Sequence, residues 1–373
     1  MGSTPQRVLH VVYAMNTGGI ESWLMSLYRN IDRDRLQFDF LVNVKTDSFF
    51  DAEITKLGGS IIYGGKLNNP VDIYFRTKTL LKIHSYSAIH CHNVENAFPA
   101  LYAAKNIGLT VRLYHCHNNV NRKWGLFSKL KRQFLKISNN LAIKCSSKLL
   151  SVSKECGDIL FGSNEYQQIS LGIELQKYLP EKKNKLNKNQ FGLSDDDIII
   201  GHVGRFDLQK NHTFIVKIAN EIIKELPNAK FVLVGDGKLE REIREEVDNY
   251  NLDKHFVFLG LRSDVPQLML DIMDVFIFPS LFEGLGLVVV EAQAAGLPVI
   301  CSNMVPTEAI VNKNIVKICD LSSSEISWAS TTIEFYKNCQ KTGECDALSV
   351  ILKSDFNLSR TLSTMESLWL EKK

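Results

Sequence analysis

Residues Phe278 to Ile300, FPSLFEGLGLVVVEAQAAGLPVI, carry the reading of this chain because they set two carboxylates, Glu283 and Glu291, around a glycine-rich turn that opens a helix. The run Val275 to Phe278 before them has the apolar character of a buried strand. Pro279 ends it where open parallel sheets bind ligands. Gly284 and Gly286 let the backbone come close to a ligand, and the N–H groups of Leu287 and Val288 have no acceptor inside their own helix. Such amides attract an anion, for example a diphosphate. Glu291 falls about one turn into the helix, within reach of a ribose diol beside the phosphates. Glu283 sits in the turn, nearer a transferred group. Gly296 and Pro298 then supply the expected stop.

Working outward, 373 residues exceed a single hydrophobic core, so two domains are expected. A chain 45% hydrophobic and 23% charged is ordinary globular material. The net charge of +3 is too small to argue for nucleic acid, and no aromatic-basic recognition motif accompanies it. No apolar run reaches the roughly 18–20 residues that span a bilayer, and the first residues lack signal-peptide layout, so a cytoplasmic location is expected. The 8 cysteines include no C-x-x-C pair, as expected of reduced, structural thiols.

Short apolar strands at Val8–Tyr13, Phe38–Val44, Ser60–Tyr63, Ala88–Cys91, Val111–His115 and Leu149–Val152 alternate with helical stretches, the pattern of a doubly wound parallel sheet. From Pro180 to Asp197 the chain turns polar and lysine-rich, which sets a boundary. A second series follows at Ile198–Val203, Lys230–Val234, Phe256–Leu259, Val275–Phe278 and Pro298–Cys301. The expected organisation is a Rossmann-like domain over 1–180, a second over 181–355, and a terminal helix over 356–373 that packs back on the first.

Four elements fall in order: Gly18-Gly19 in the first turn, Gly204-Arg205 with Lys210-Asn211, Val234-Gly-Asp-Gly237, and the Glu283–Glu291 segment. Together they resemble the retaining family-4 glycosyltransferases, most of all those of bacterial exopolysaccharide and capsule biosynthesis. The resemblance implies an α/β GT-B fold of two Rossmann-like doubly wound domains facing across a cleft. It further implies that the chain transfers a hexosyl or N-acetylhexosaminyl group with retained configuration from a nucleotide sugar to a glycan or lipid-linked acceptor. UDP is the commonest carrier in such enzymes, with GDP kept open.

The same resemblance assigns Arg205 and Lys210 to the donor diphosphate, Glu283 to the donor sugar and Glu291 to the ribose. It brings Gly18, Gly19, Gly286 and the amides of Leu287 and Val288 to the phosphates. The residue types agree, since a transferase with no metal needs fixed cations where the leaving group gains charge. No cofactor and no metal are therefore expected. Asp236 is read as structural. The stretch Asn314 to Leu321 departs from relatives by lacking a glycine-rich segment, which bears on acceptor detail.

His90-Cys91-His92 and His115-Cys116-His117 repeat one pattern, each after a strand. Alternation puts the paired histidines on one side, so a four-imidazole metal site is conceivable, but zinc patterns usually carry other spacings. By resemblance His115 contacts the donor sugar, with His117 the second choice and His90 and His92 on the acceptor side or structural. Between Glu95 and Glu155 there is no acidic residue but 11 basic ones, and Trp124, Phe127, Leu130, Phe134, Ile137 and Leu141 accompany Lys129, Arg132 and Lys136. Either the apolar stripe faces the core, or residues 122–148 touch an anionic membrane at its inner face. Rival readings are a glycosidase using Glu283 and Glu291, a GT-B epimerase or hydrolase, and an inactive glycan-binding pseudo-transferase.

Overall fold

In the computed structural model the short apolar runs become strands of two parallel sheets, and the helical patterns between them become crossovers. The structure describes residues 4–65, 69–119, 129–179, 185–342 and 347–371. Two compact units emerge, residues 1–173 with 358–373, and residues 174–357. The chain thus passes between units at Ile173/Glu174, ahead of the boundary expected at 180.

The first unit contains β1 (Gln6–Val11), β2 (Leu36–Val42), β3 (Ser60–Tyr63), β4 (Tyr86–Cys91), β5 (Val111–Cys116), β6 (Lys148–Ser151) and β7 (Gln167–Gln168). Their order is β3-β2-β1-β4-β5-β6-β7, so the winding reverses between β1 and β4. Crossover helices cover both faces, which is why β1, β4 and β5 read as nearly continuous apolar runs. The terminal helix Leu358–Trp369 belongs to this unit. Thr361 Oγ1 donates to the Ser170 carbonyl at 2.9 Å and accepts from the Gly172 N–H at 3.1 Å. A side chain at Gly172 would meet the Leu358 Cα at 2.6 Å, so only glycine lets the helix lie this close. Trp369 anchors the far end, fully buried and edge-on to Phe38 at 5.0 Å.

The basic helix, Lys129–Cys145, resolves the choice of faces. Its buried side is Leu135, Ser138, Asn139, Ala142 and Cys145, held by Asn139 Nδ2 donating to the Leu160 carbonyl at 2.8 Å and Tyr114 Oη donating to Asn139 Oδ1 at 2.8 Å. The larger apolar stripe does not face the core: Leu130 is 82% exposed and Phe134 61%, with Ile137 and Leu141 also open. Lys129, Lys131, Arg132 and Lys136 are exposed around it. Arg122, Lys123, Trp124 and Phe127 lie outside the described residues.

In the second unit β8 (Ile198–Val203), β9 (Ala229–Val234), β10 (Phe256–Phe258), β11 (Val275–Phe278), β12 (Val299–Ser302) and β13 (Val316–Cys319) order as β10-β9-β8-β11-β12-β13. The stretch that lacks glycines is therefore an edge strand. The helix His212–Glu225 buries Ile215, Ile218, Ala219 and Ile222 on one face, the spacing of a core-facing stripe. It packs in the same cluster as Trp328, whose Nε1–H donates to the Asp320 carbonyl at 2.9 Å. Winding reverses between β8 and β11, which opens a crevice at their carboxyl ends. Cys91, Cys116, Cys145, Cys156, Cys301 and Cys319 are buried and take part in no disulfide among the described residues. Among the described residues no helix is long and apolar enough to cross a membrane.

Candidate active site

The loops after β8 and β11 meet at that crevice because neighbouring strands deliver them side by side. Hydrogen bonds fasten one to the other. The Leu281 N–H donates to the Gln209 carbonyl at 2.8 Å, Gln209 Nε2 to the Phe282 carbonyl at 2.9 Å, and Asn211 Nδ2 to the Pro279 carbonyl at 3.1 Å. Asn211 adopts φ 58°, a left-handed conformation that asparagine tolerates better than most residues. It turns the chain from the short turn Leu208–Lys210 into the helix beginning at His212.

This splice brings Lys210 and Glu283 together. Lys210 Nζ lies 2.6 Å from Glu283 Oε1 and 4.6 Å from the centre of the Phe278 ring. The side chains are 17% and 6% exposed, so the pair is largely shielded and its attraction is only weakly screened. Arg205 stands differently: it is exposed, and its guanidinium has no hydrogen bond or ion pair with another described residue. Gly204 lets His202 and the Lys210 stem pack against the turn, since a Cβ there would sit 2.9 Å from His202 Nε2 and 3.0 Å from Lys210 Cγ. At Gly235, with φ 138°, a Cβ would lie 2.2 Å from the Gly204 carbonyl oxygen, so the loop after β9 closes directly on the Gly204 turn.

Gly286 caps the helix Leu287–Ala294 at φ 81°, with no side chain bonded over its amino end. The amides of Leu287 and Val288 therefore open the helix uncovered by any capping group. Glu291 lies in its second turn, partly buried, near Lys177 and Tyr178 of the short helix Leu175–Tyr178. Burial pushes its carboxyl up to about 7, and the Lys177 ammonium pulls in the opposite direction. Gly296, at φ 78°, ends the helix in the left-handed conformation expected of it. Asp236 is exposed, and its carbonyl accepts from the Phe206 N–H at 2.8 Å. In the loop after β10, the Gly260 carbonyl accepts from the Gly235 N–H at 2.9 Å and Arg262 is paired with Asp264.

In the first unit Gly18 precedes the helix Gly19–Asn30, and a Cβ at Gly19 would have nothing within 4 Å. Protein contacts do not demand glycine there, so the space above it is open. The histidines depart from expectation. His115 is 1% exposed, with both ring nitrogens enclosed and unbonded to any described residue, so a sugar does not reach it in this conformation. His90 and His92 are buried as well, and only His117 is partly exposed. They converge with His10 of β1, which the sequence did not single out. Its register partner His90 places it on the same face, and burial by Phe38, Phe40 and Trp369 lowers its pKa to about 3. His202 and His212 were also overlooked. They stack among Phe206 and Phe278 beneath Lys210, and burial lowers both.

The chain is similar to known proteins along most of its length. Residues 183–340 match the family model "Glycosyl transferases group 1". EpsF of Bacillus subtilis (strain 168), a protein named as a glycosyltransferase, is 36% identical over 341 residues, spanning 89% of this chain and 88% of its own. The UDP-Gal:alpha-D-GlcNAc-diphosphoundecaprenol alpha-1,3-galactosyltransferase of Escherichia coli is 29% identical over 261 residues, or 65% of this chain and 66% of that one. Among solved structures, HepE of Anabaena in complex with UDP and glucose superposes with a TM-score of 0.81 at 19% identity, covering 97% of this chain and 98% of its own. WaaG, a glycosyltransferase involved in lipopolysaccharide biosynthesis, gives 0.76 at 15%, covering 98% and 100%. The fold is that of the GT-B glycosyltransferases.

Proposed function

Because this chain belongs to the group 1 glycosyltransferases, we propose that it moves a sugar, with its anomeric configuration retained, from a UDP-linked donor to a lipid-linked or growing glycan of a surface polysaccharide. The observation that carries the donor reading is the constellation at the β8/β11 crevice: Lys210 on Glu283 at 2.6 Å, an unpartnered Arg205, and a helix opened by Gly286. A diphosphate completes it. Arg205 offers a planar fork to two phosphate oxygens, Lys210 a point charge, and the amides of Leu287 and Val288 further donors. Fixed donors of this kind stabilise charge as it develops on the leaving group, without a metal in that step. Glu283, held by Lys210, accepts from donor-sugar hydroxyls, and Glu291 from the ribose.

Retention follows if the departing diphosphate takes the proton of the attacking acceptor hydroxyl on the face it leaves. The C1–O bond to phosphate breaks, the C1–O bond to acceptor forms on the same face, and the hydroxyl proton goes to a phosphate oxygen. No side-chain nucleophile enters. The galactosyltransferase relative, named for a diphosphoundecaprenol-linked acceptor, supports a lipid-linked acceptor, and HepE with UDP and glucose supports the carrier. The strand-end histidines stay outside this scheme because none offers an unbonded, exposed ring nitrogen.

Access to a lipid-linked acceptor at the inner face of the membrane is supported by the helix Lys129–Cys145. Its exposed Leu130, Phe134 and Ile137 lie among lysines and arginine in a segment free of acidic residues. Each basic group near anionic lipid contributes about 1 kcal/mol. The donor reading is tested by screening nucleotide sugars for nucleotide release with and without an acceptor. Acceptor-dependent release of UDP, lost in Arg205→Ala, supports it; release of UDP with no acceptor product points to a hydrolase or epimerase, and no turnover of any donor to the pseudo-transferase.

A further inference from the structure

Five histidines share one face of the first unit's sheet: His10 of β1, His90 and His92 at the end of β4, and His115 and His117 at the end of β5. Three are linked. His10 Nδ1 lies 3.0 Å from His92 Nε2, and His92 Nδ1 lies 2.9 Å from His117 Nε2. His90 Nδ1 accepts from Trp369 Nε1–H at 3.3 Å. Among the described residues, His10 Nε2, His90 Nε2, His115 Nδ1, His115 Nε2 and His117 Nδ1 are buried with no partner.

Hydrogen bonding alone does not satisfy this cluster. If His10 donates to His92 and His92 to His117, a lone pair is stranded at His10 Nε2 and an N–H at His117 Nδ1. Running the chain in reverse strands the opposite pair. Neither pattern reaches His115, whose whole imidazole is enclosed without a partner. Buried imidazoles are tolerated in cores when paired, and an orphaned polar group is the exception that calls for an unseen partner.

We infer that His92, His115 and His117 bind one divalent transition metal ion of the zinc class, with His10 fixing the tautomer of His92. Their ligand nitrogens already lie within 4.8 Å of one another. At Zn–N lengths of about 2.0–2.1 Å, tetrahedral ligand atoms stand roughly 3.3–3.4 Å apart, so the His92–His117 gap opens by only a few tenths of an ångström. His92 ligates through Nδ1 while its Nε2–H donates to His10 Nδ1, the outer-shell bond that metal-bound imidazoles usually make. His117 ligates through Nε2, and one nitrogen of His115 gains the partner it lacks. Burial keeps all three rings uncharged, the state in which imidazole coordinates. The fourth position, beside the partly exposed His117, is left for water. Cys91 and Cys116 point away on the other side of their strands, so the donor set is imidazole only.

The experiment uses the full chain, stripped with chelator, desalted and titrated with cobalt(II) and then zinc. One equivalent of cobalt with the intense visible absorption of a tetrahedral site, bleached by one equivalent of zinc, is the expected result. His92→Ala and His115→Ala abolish the absorption, His10→Ala weakens zinc affinity by about 10–100-fold at unchanged stoichiometry, and His84→Ala at an exposed position changes nothing. Should the first two variants not fold, the wild-type spectrum decides alone. Absence of the tetrahedral band in wild type, or its persistence at full intensity in folded His115→Ala, overturns the inference. UDP binding measured by calorimetry on the stripped protein reads the donor site separately, so failure of either proposal leaves the other standing.

Discussion

Replacing Lys210 by methionine keeps most of the stem volume and removes the charge. Glu283, with its side chain 6% exposed, then loses its ionic partner. Breaking one side of a buried pair costs about 3–5 kcal/mol. Lys210 is 17% exposed, so water repays part of the cost and the lower end applies. For a unit of this size, about 2–4 °C of Tm accompanies each kcal/mol, so a fall of roughly 6–12 °C in the second unit's transition is expected. Glu283→Gln alone falls less, because an amide there still accepts from the ammonium. Lys210→Met/Glu283→Gln recovers most of the loss, since neither charge is then stranded. Nucleotide affinity moves differently. A hydrogen bond from a charged donor contributes about 1.5–3 kcal/mol, so UDP binds roughly 10–150-fold more weakly to Lys210→Met. Glu283→Gln leaves UDP affinity equal or tighter, because the carboxylate no longer competes with phosphate for the ammonium. The assay is a double-mutant cycle in thermal denaturation paired with calorimetry of UDP. A coupling below about 0.5 kcal/mol, or UDP affinity unchanged in Lys210→Met, refutes the reasoning.

Glu291 supplies a pH test: its carboxyl is raised from 4.5 to about 7, so the folded protein holds a proton that the unfolded chain releases. Its contribution is complete below about pH 4.5 and is lost as pH rises through 7, by up to about 3 kcal/mol. Glu291→Gln should therefore gain stability relative to wild type between pH 5 and 8 in denaturant melts, and parallel curves contradict the assignment. Phe134→Glu on the exposed stripe should cut sedimentation with vesicles rich in phosphatidylglycerol several-fold while leaving Tm within a degree or two, and equal sedimentation dismisses the membrane reading. Trp369→Ala should cost about 3–5 kcal/mol in chemical denaturation, because the ring is fully buried against Phe38 and His90; a loss under 1 kcal/mol shows the terminal helix to be dispensable.

Much of this was legible in one dimension. Strands Ile198–Val203 and Val275–Phe278 coincide with their apolar runs, because a strand covered on both faces must be apolar at nearly every position. Glu283, Gly286 and Glu291 were visible because a strand, a turn and a helix amino end are local signals a few residues apart. The basic helix was less so. Its spacing marked Leu130, Phe134, Ile137 and Leu141 as an apolar face, yet the core took the face with Ser138, Asn139 and Ala142. Small residues allow the closer approach, and Asn139 hydrogen-bonds with Tyr114 and the Leu160 carbonyl, which periodicity does not record. His115 was expected at a ligand and instead is enclosed. Strand alternation gave its side of the sheet but not what lies above that side.

The amino-acid order by itself determined the two sheets, their carboxyl-end loops and the residue types at the turn after β11, since each arises from patterns shorter than one βα unit. Tertiary structure alone decided which residues from distant segments meet: Lys210 with Glu283, His10 with His92, Trp369 with His90. Those meetings depend on the order in which strands are laid down, and hydrophobic pattern is the same for any order. Only the packed sheet, by placing β1 beside β4 and β8 beside β11, turns separate stretches of sequence into sites.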